Sequence, residues 1–265
     1  MKQWKPYLSA FRLRALLETQ YRGAAFGGQV TQLFFAMVLI LLYEALYDGK
    51  DPAAFAQVVS YVWLQQMLFR ALFSSEGELS SQIMSGGVSY SLIRPVDQQA
   101  WWFCRTLALK VVGCLMRLVP MLLVQALLPP VYRLQLPDSP LALAQFLVSL
   151  CLGMLCLTQI ASISDGMTMI TLDRRGVSSI INLSMAALSG NIVPLTLFPE
   201  KVQSLIRYQP FAQALDAPIR MYQHQQALPD FALSLAVQAL WLAVLTLCAR
   251  MLWRRQLRSM VVQGG

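Results

Sequence analysis

Polar residues recur on one face of an otherwise apolar stretch near the middle of the chain. Side chains at three- and four-residue spacing share a helix face, and this face carries Lys110, Cys114, Arg117, Met121 and Gln125. A charge near the centre of a bilayer costs at least about 2.5 kcal/mol on insertion scales, so Arg117 must face protein or water. We expect the ammonium group of Lys110 to reach the membrane interface along its apolar stem.

Two interpretations of these side chains are open. In the first, Arg117 lines a path for an anionic or polar head group. The other members of that path are Gln65, Gln66 and Gln125. In the second, Arg117 binds the glutamines or Asp165 within one subunit and has a structural role. Both interpretations describe binding and no covalent chemistry.

The residue patterns that support catalysis or metal binding are missing from the sequence. The only histidine is His224, the five cysteines form no CxxC pair, and no GxxxxGK[ST] phosphate loop occurs. We therefore predict no metal site and no cofactor in this chain, and an enzyme is the least supported class. If ATP is used, another chain must bind it. The net charge of +8 is spread along the chain, which argues against a nucleic-acid partner.

Composition places these side chains in a helical membrane protein. Hydrophobic residues make up 57% of the chain and charged residues only 13%, roughly half their share in soluble domains. About 20 apolar residues in a helix cross a hydrocarbon core of about 30 Å. Six stretches approach that length: 29–47, 55–73, 106–128, 141–163, 177–198 and 231–253. None alternates like a barrel strand, so we predict an all-α integral membrane fold with six transmembrane helices.

The basic residues predict which side each connection faces. They concentrate before the first span, after the second, fourth and sixth spans, and the opposite connections mix cations with acidic residues. The positive-inside rule therefore puts both termini in the cytoplasm. We expect one domain over 1–265, with a connecting helix in 1–28, the six-span region in 29–253 and a cytoplasmic tail in 254–265.

The segment before the first span has an apolar helix face. That face is formed by Trp4, Tyr7, Leu8, Phe11 and Ala15. Basic residues lie on another face, so the pattern predicts an amphipathic helix over 4–20 in the head-group plane. Because Arg14 and Glu18 interrupt the apolar face, docking on neighbouring helices is the alternative.

A long polar connection joins the second and third predicted spans. Glu76 and Glu78 lie where carboxylates stabilise a helix N-terminus, which predicts a short helix over 76–84. Gly87 would end this region, and Pro95 would hold the chain extended before the third span. We expect the helix to be exposed and to add little to the packing of the spans. The alternative is a solvated connector.

The connection after the fifth predicted span combines glycine and prolines with apolar residues. Its marked positions are Gly190, Pro194, Pro199, Pro210 and Phe211. An ordinary aqueous loop would lack the interleaved apolar residues. We therefore predict short broken helices that re-enter the membrane edge, where protein or a cavity satisfies the freed backbone groups. Such a segment suits a mouth or a lid.

These two connections resemble those of ABC-2 (exporter-type) permeases. The first contains G-x-x-x-x-L-x-R-P from Gly87 to Pro95, and the second contains G-x-x-x-P-L-x-x-x-P…P-F from Gly190 to Phe211. The resemblance extends over nearly the whole chain, including the basic N-terminal helix. It is nearest to single-domain, six-span permeases that work with a separate ATPase.

The resemblance implies the permease subunit of an ATP-driven exporter in the bacterial cytoplasmic (inner) membrane. Two permease subunits, identical or related, would meet among membrane lipids, and ABC ATPase subunits holding ATP and Mg²⁺ would dock on the helix over 76–84. The implied coupling residues are Glu76, Glu78, Gln82, Met84, Gly87, Arg94 and Pro95. A lipid, glycan, peptide or drug-like substrate suits the class. The rival functions are an ATP-independent secondary transporter and a non-transporting scaffold that recruits a cytoplasmic partner.

Overall fold

The fold is a bundle of α-helices. The computed structural model describes residues 4–20, 22–47, 49–73, 77–84, 87 and 93–259, and no β-strand occurs among them. The helices in chain order are α1 Lys5–Gln20, α2 Arg22–Tyr47, α3 Pro52–Phe73, α4 Glu78–Met84, α5 Gln98–Leu127, α6 Pro140–Thr171, α7 Arg174–Leu188, α8 Glu200–Ile206, α9 Pro210–Gln223 and α10 Leu228–Ser259. The prediction of an all-α fold is confirmed for this part of the chain.

Local sequence signals set where three of the helices begin. Asp97, Ser139 and Asp173 precede α5, α6 and α7. Each side chain accepts a hydrogen bond from the backbone N–H three residues on, at 2.8, 3.0 and 3.1 Å. These bonds satisfy N–H groups that have no partner inside a helix. α6 is followed by Leu172, whose φ of 52° is left-handed, so α6 and α7 are joined by a sharp turn.

Four of the described helices contain stretches long and apolar enough to cross a membrane. These stretches are Phe26–Tyr47, Gln98–Leu127, Pro140–Thr171 and Leu228–Arg258. α3 has 22 residues but carries three glutamines and an arginine, and α7 has only 15 residues. A 15-residue helix spans about 22 Å, short of a hydrocarbon core. The fold is that of a multi-pass membrane protein, and the count of six spans stays a prediction.

The fifth predicted span is shorter than the sequence pattern indicated. We expected a helix over 177–198, but α7 ends at Leu188. Gly190 has a φ of 81°, and its carbonyl accepts a hydrogen bond from the Tyr61 hydroxyl at 3.3 Å. A Cβ at this position would overlap that hydroxyl, so both the backbone and the packing require glycine. The chain turns here and continues in short helical pieces.

α6 lies at the centre of the bundle. It packs against α5, α7, α9 and α10. Gly153 allows the close approach of α9, because a Cβ there would overlap the carbonyl oxygen of Ala214. One hydrophobic cluster joins α3, α6 and α9, and a second surrounds Trp63 between α2, α3 and α5. α3 belongs to both clusters and links the two sides of the bundle.

α1 packs along α5, and its predicted apolar face is divided. Tyr7, Phe11 and Ala15 are partly buried, whereas Trp4 and Leu8 are 78% and 68% exposed. One side of α1 therefore docks on protein, as in the alternative interpretation of this helix. The exposed Trp4 and Leu8 leave an apolar edge suited to lipid, which stays a prediction.

Candidate coupling site

Alternating charges connect α4 to three other helices. The Glu78 carboxylate accepts a hydrogen bond from Arg105 of α5 and lies 3.5 Å from the Arg14 guanidinium of α1. Arg14 in turn lies 3.5 Å from Glu18, and Glu18 lies 2.8 Å from Arg70 of α3. We call these five side chains the ionic chain.

Most side chains of the ionic chain are largely buried, so its ion pairs contribute more to stability than pairs on the surface do. The Arg105 side chain is 8% exposed, and those of Arg14 and Glu18 are 13% exposed. The Glu78 and Arg70 side chains are 34% and 27% exposed. Exposed ion pairs contribute about 0–1 kcal/mol and breaking a fully buried pair costs about 3–5 kcal/mol, so the pairs of the ionic chain lie between these limits. Arg105 also lies over the Trp101 ring, at 4.8 Å from its centroid. The ionic chain is therefore a fixed junction of α1, α3, α4 and α5.

α4 is anchored by packing as well as by charge. Leu79 is 2% exposed and belongs to a cluster with Trp102, Met169 and Trp253 of three other helices. At the start of α4, Gly77 has a φ of 58°, and a Cβ there would collide with the Arg174 guanidinium of α7. The expectation that this helix adds little to the packing of the spans is wrong, because Leu79 fills a gap between them.

The predicted coupling residues have different surroundings. Glu78 faces protein through the ionic chain, whereas an exposed docking position was expected. Gln82 is half-buried, and the neighbouring Ser81 is exposed. The remaining predicted members are Met84 at the end of α4, Gly87 in a turn, the exposed Arg94 and Pro95, and Glu76, which lies outside the described residues. Contact of these residues with an ATPase stays a prediction.

Lys110 is enclosed by protein, whereas we expected its side chain to extend along the surface towards the membrane interface. Its side chain is 1% exposed, and the ammonium group donates a hydrogen bond to the carbonyl of Ala71 near the end of α3. The last carbonyls of a helix lack intrahelical partners and lie at the negative end of its dipole, which favours a cation there. Lys110 therefore joins α5 to the end of α3.

The described contacts do not assemble the predicted path inside one subunit. Gln65 donates a hydrogen bond to the Asn191 side chain at 3.0 Å, and the side-chain oxygen of Gln125 accepts one from the Leu134 N–H at 2.8 Å. Gln66 is 4% exposed. Arg117 lies against Gly28 of α2. The Gln65 and Gln125 side chains therefore bind loop residues. A role in translocation stays a prediction for these two glutamines, for Gln66 and for Arg117.

The expected structural partners of Arg117 are also elsewhere. In the described structure no hydrogen bond joins Arg117 to Gln65, Gln66, Gln125 or Asp165. Asp165 instead lines a small cavity of about 30 Å³ beside Glu78 and Arg105.

The proline-rich segment forms short helices around a buried carboxylate. Pro194 precedes a 3-10 turn, Pro199 precedes α8, and Pro210 is the first residue of α9. Asp216 of α9 is 1% exposed, lies 2.7 Å from Arg220, and accepts a hydrogen bond from the Tyr61 hydroxyl at 3.3 Å. The next side chain after Pro210, Phe211, packs against the core cluster of α3, α6 and α9. Re-entry of this segment into the membrane stays a prediction.

Sequence reasoning missed most of these polar partners. Glu18 and Arg14 were noticed only because they interrupt the apolar face of the first helix, and this interruption was the available signal for the ionic chain. Asp216 and Arg220 lie four residues apart on a helix, a spacing that favours an ion pair. Nothing in the sequence indicated that Tyr61 would complete this pair.

These features define a class, a multi-pass helical membrane protein with a short helix fixed to its bundle by buried charges. Comparison with known protein families matches residues 28–264 to the ABC-2 family transporter proteins. The chain belongs to this family, whose members form the membrane part of ABC transporters. No curated protein was found to match the chain.

Proposed function

We propose that this chain is the permease subunit of an ATP-driven exporter and that a separate ABC ATPase docks on α4. Membership of the ABC-2 family supports the class, and the missing phosphate loop supports a separate ATPase that holds ATP and Mg²⁺. In this proposal two permease subunits meet in the bacterial inner membrane, with six spans each and both termini in the cytoplasm. The substrate is a lipid, glycan, peptide or drug-like molecule.

The observation that carries the proposal is the ionic chain. Charge pairs join α4 directly to α1 and α5, and a further pair joins α1 to α3. A displacement of α4 would therefore act on all three helices. A partner that contacts α4 differently in its ATP-bound and ATP-free states would bias the arrangement of the bundle. This difference is what coupling of hydrolysis to transport requires. Neither a secondary transporter nor a scaffold needs a nucleotide-dependent contact at α4.

The purified chain alone should neither bind nor hydrolyse ATP, because it has no phosphate loop. Hydrolysis, measured as phosphate release from reconstituted vesicles, should appear when the chain is purified with its ATPase. The matched control is the same complex with the phosphate-loop lysine of the ATPase replaced by alanine. Sustained hydrolysis by the rigorously purified chain would contradict the proposal. Transport driven by an ion gradient without an ATPase would favour the secondary transporter.

A photo-crosslinking amino acid at Ser81 should label the ATPase, because Ser81 is an exposed position of α4. The yield should change between the ATP-bound and nucleotide-free complexes, as measured by gel shift. The same label at Gln225, exposed between α9 and α10, is the control and should give no ATPase product. Equal labelling from both positions, or a crosslinking yield at Ser81 that does not change with nucleotide, would show that α4 does not couple to the ATPase.

A further inference from the structure

A second polar site lies at the other group of short helices, away from the ionic chain. A cavity of about 250 Å³ opens between the α8–α9 connection, α9 and the start of α10. Its charged lining residues are Arg207, Arg220 and Asp230, and Tyr208, Gln213 and Ser234 also line it. A water molecule occupies about 30 Å³ of liquid, so the cavity has room for a larger polar group.

Arg207 and Arg220 differ in the partners of their guanidinium groups. Arg220 donates through Nε to the buried Asp216 at 2.7 Å, which neutralises its charge and leaves its terminal nitrogens free of that bond. The Arg207 guanidinium makes no ion pair or hydrogen bond within the described structure. Partial desolvation and the nearby Arg220 cation lower the pKa of Arg207 from its ordinary value. Arg207 therefore supplies the net positive charge of the site and Arg220 adds guanidinium donors, a combination that suits an anion.

The backbone that carries Arg207 is fixed. The Arg207 carbonyl accepts a hydrogen bond from the Gln213 side chain at 2.9 Å, and the next carbonyl, that of Tyr208, accepts one from the Trp241 ring at 2.6 Å. On the opposite wall, Gln226 and Gln145 exchange two hydrogen bonds of 2.9 Å. A preorganised wall reduces the entropy lost when a ligand binds.

We propose that this cavity binds a phosphate group between Arg207 and Arg220. Arginine forks match the oxygen geometry of phosphate and bind it through two parallel hydrogen bonds. Ser234 and Tyr208 supply hydroxyl donors at the same cavity. The single opposing carboxylate that lines it, Asp230, is exposed, so water screens its repulsion.

The position of the cavity in the fold indicates where such a phosphate would come from. Asp230 and Ser234 lie in the first two turns of α10, which contains one of the candidate membrane spans, so the cavity lies at head-group depth. Leu233 lines the cavity and is 53% exposed, and Leu205 and Leu228, each two residues from a lining residue in the sequence, are 80% and 72% exposed. A lipid could place its head-group phosphate in the cavity and its acyl chains along these leucines. A soluble phosphate ester would use the same arginines without the leucines.

The test measures ligand binding by the purified full chain in uncharged detergent, followed as the rise in Tm. The probes are dioleoylphosphatidylglycerol, dioleoylglycerol as its phosphate-free match, and glycerol 3-phosphate. Arg207→Gln should weaken phosphatidylglycerol binding at least about tenfold, the effect of losing one charge-assisted contact. Lys201→Gln removes an equal charge from the exposed face of α8 and should leave binding unchanged. Arg207→Lys keeps the charge without the fork and should bind with intermediate strength.

Each outcome decides the proposal. Binding of phosphatidylglycerol alone, lost in Arg207→Gln, assigns a lipid head group. Binding of glycerol 3-phosphate with the same dependence on Arg207 assigns a soluble phosphate ester. The proposal is overturned if wild type does not distinguish phosphatidylglycerol from dioleoylglycerol, or if Arg207→Gln and Lys201→Gln bind alike. Without ligand, the Tm of Arg207→Gln and that of Lys201→Gln should match wild type. The hydrogen bond that Arg207 makes to Gln213 uses its backbone carbonyl, which the substitution keeps.

Discussion

Replacing Glu78 by lysine should remove both stability and coupling. The new ammonium would lie beside Arg14 and Arg105, whose side chains are only 13% and 8% exposed. Arg105 would lose its carboxylate partner, whereas Arg14 would keep Glu18. Breaking a fully buried pair costs about 3–5 kcal/mol, and because the Glu78 side chain is 34% exposed, water screens part of the loss and we expect a cost below that range. We expect a lower Tm in detergent, less folded protein in the membrane, and no co-purification of the ATPase.

Two further variants separate charge loss from a docking effect. Ser81→Lys adds the same cation to the exposed face of α4 and leaves the ionic chain intact, so it should fold normally and change only ATPase association. Glu78→Gln keeps the side-chain volume without introducing a cation, so its loss of Tm should be smaller than that of Glu78→Lys. A Glu78→Lys protein with the Tm of wild type would mean that the ionic chain does not hold α4.

The parts of the fold that depend on local sequence could be predicted. Helix class follows from apolar runs, and helix starts follow from side chains such as Asp97 and Ser139 that cap the first turn. The interruption of the fifth span could have been placed more accurately, because Gly190 and Pro194 follow its apolar run closely. The α4 helix was also predictable, since a carboxylate at its start and a glycine beyond its end are local signals.

The parts of the site that depend on distant partners could not be predicted. Lys110 and Arg117 have the same kind of sequence environment, yet only Lys110 reaches the end of α3. The reason is a carbonyl, that of Ala71, and a carbonyl exists at every position in the sequence. Likewise short helices were predicted for the segment that contains α9, but the burial of Asp216 was not, because its carboxylate accepts a hydrogen bond from a tyrosine 155 residues away.

The same buried carboxylate leads to an asymmetric prediction. Asp216 is 1% exposed, whereas the Arg220 side chain is 18% exposed. Arg220→Gln leaves a carboxylate without its cation in the less accessible position, and Asp216→Asn leaves a guanidinium that can reach water. The cost of an uncompensated charge rises with burial. Arg220→Gln should therefore lower the Tm more than Asp216→Asn does. We expect the free energy of unfolding of Arg220→Gln to fall by about 3–5 kcal/mol relative to wild type.

The double variant Asp216→Asn with Arg220→Gln is the decisive measurement. It removes both charges and keeps two side chains that can hydrogen-bond each other and the Tyr61 hydroxyl, so its Tm should lie above that of Arg220→Gln alone. A thermodynamic cycle over the four proteins gives the coupling between the pair, because each side chain is changed with and without its partner. Tyr61→Phe is the matched control: it removes the hydroxyl that contacts the carboxylate and the Gly190 carbonyl, each at 3.3 Å, and should cost only about 1–2 kcal/mol. Additive losses in the double variant would show that Asp216 and Arg220 act independently, and α9 would then be held by its apolar face alone.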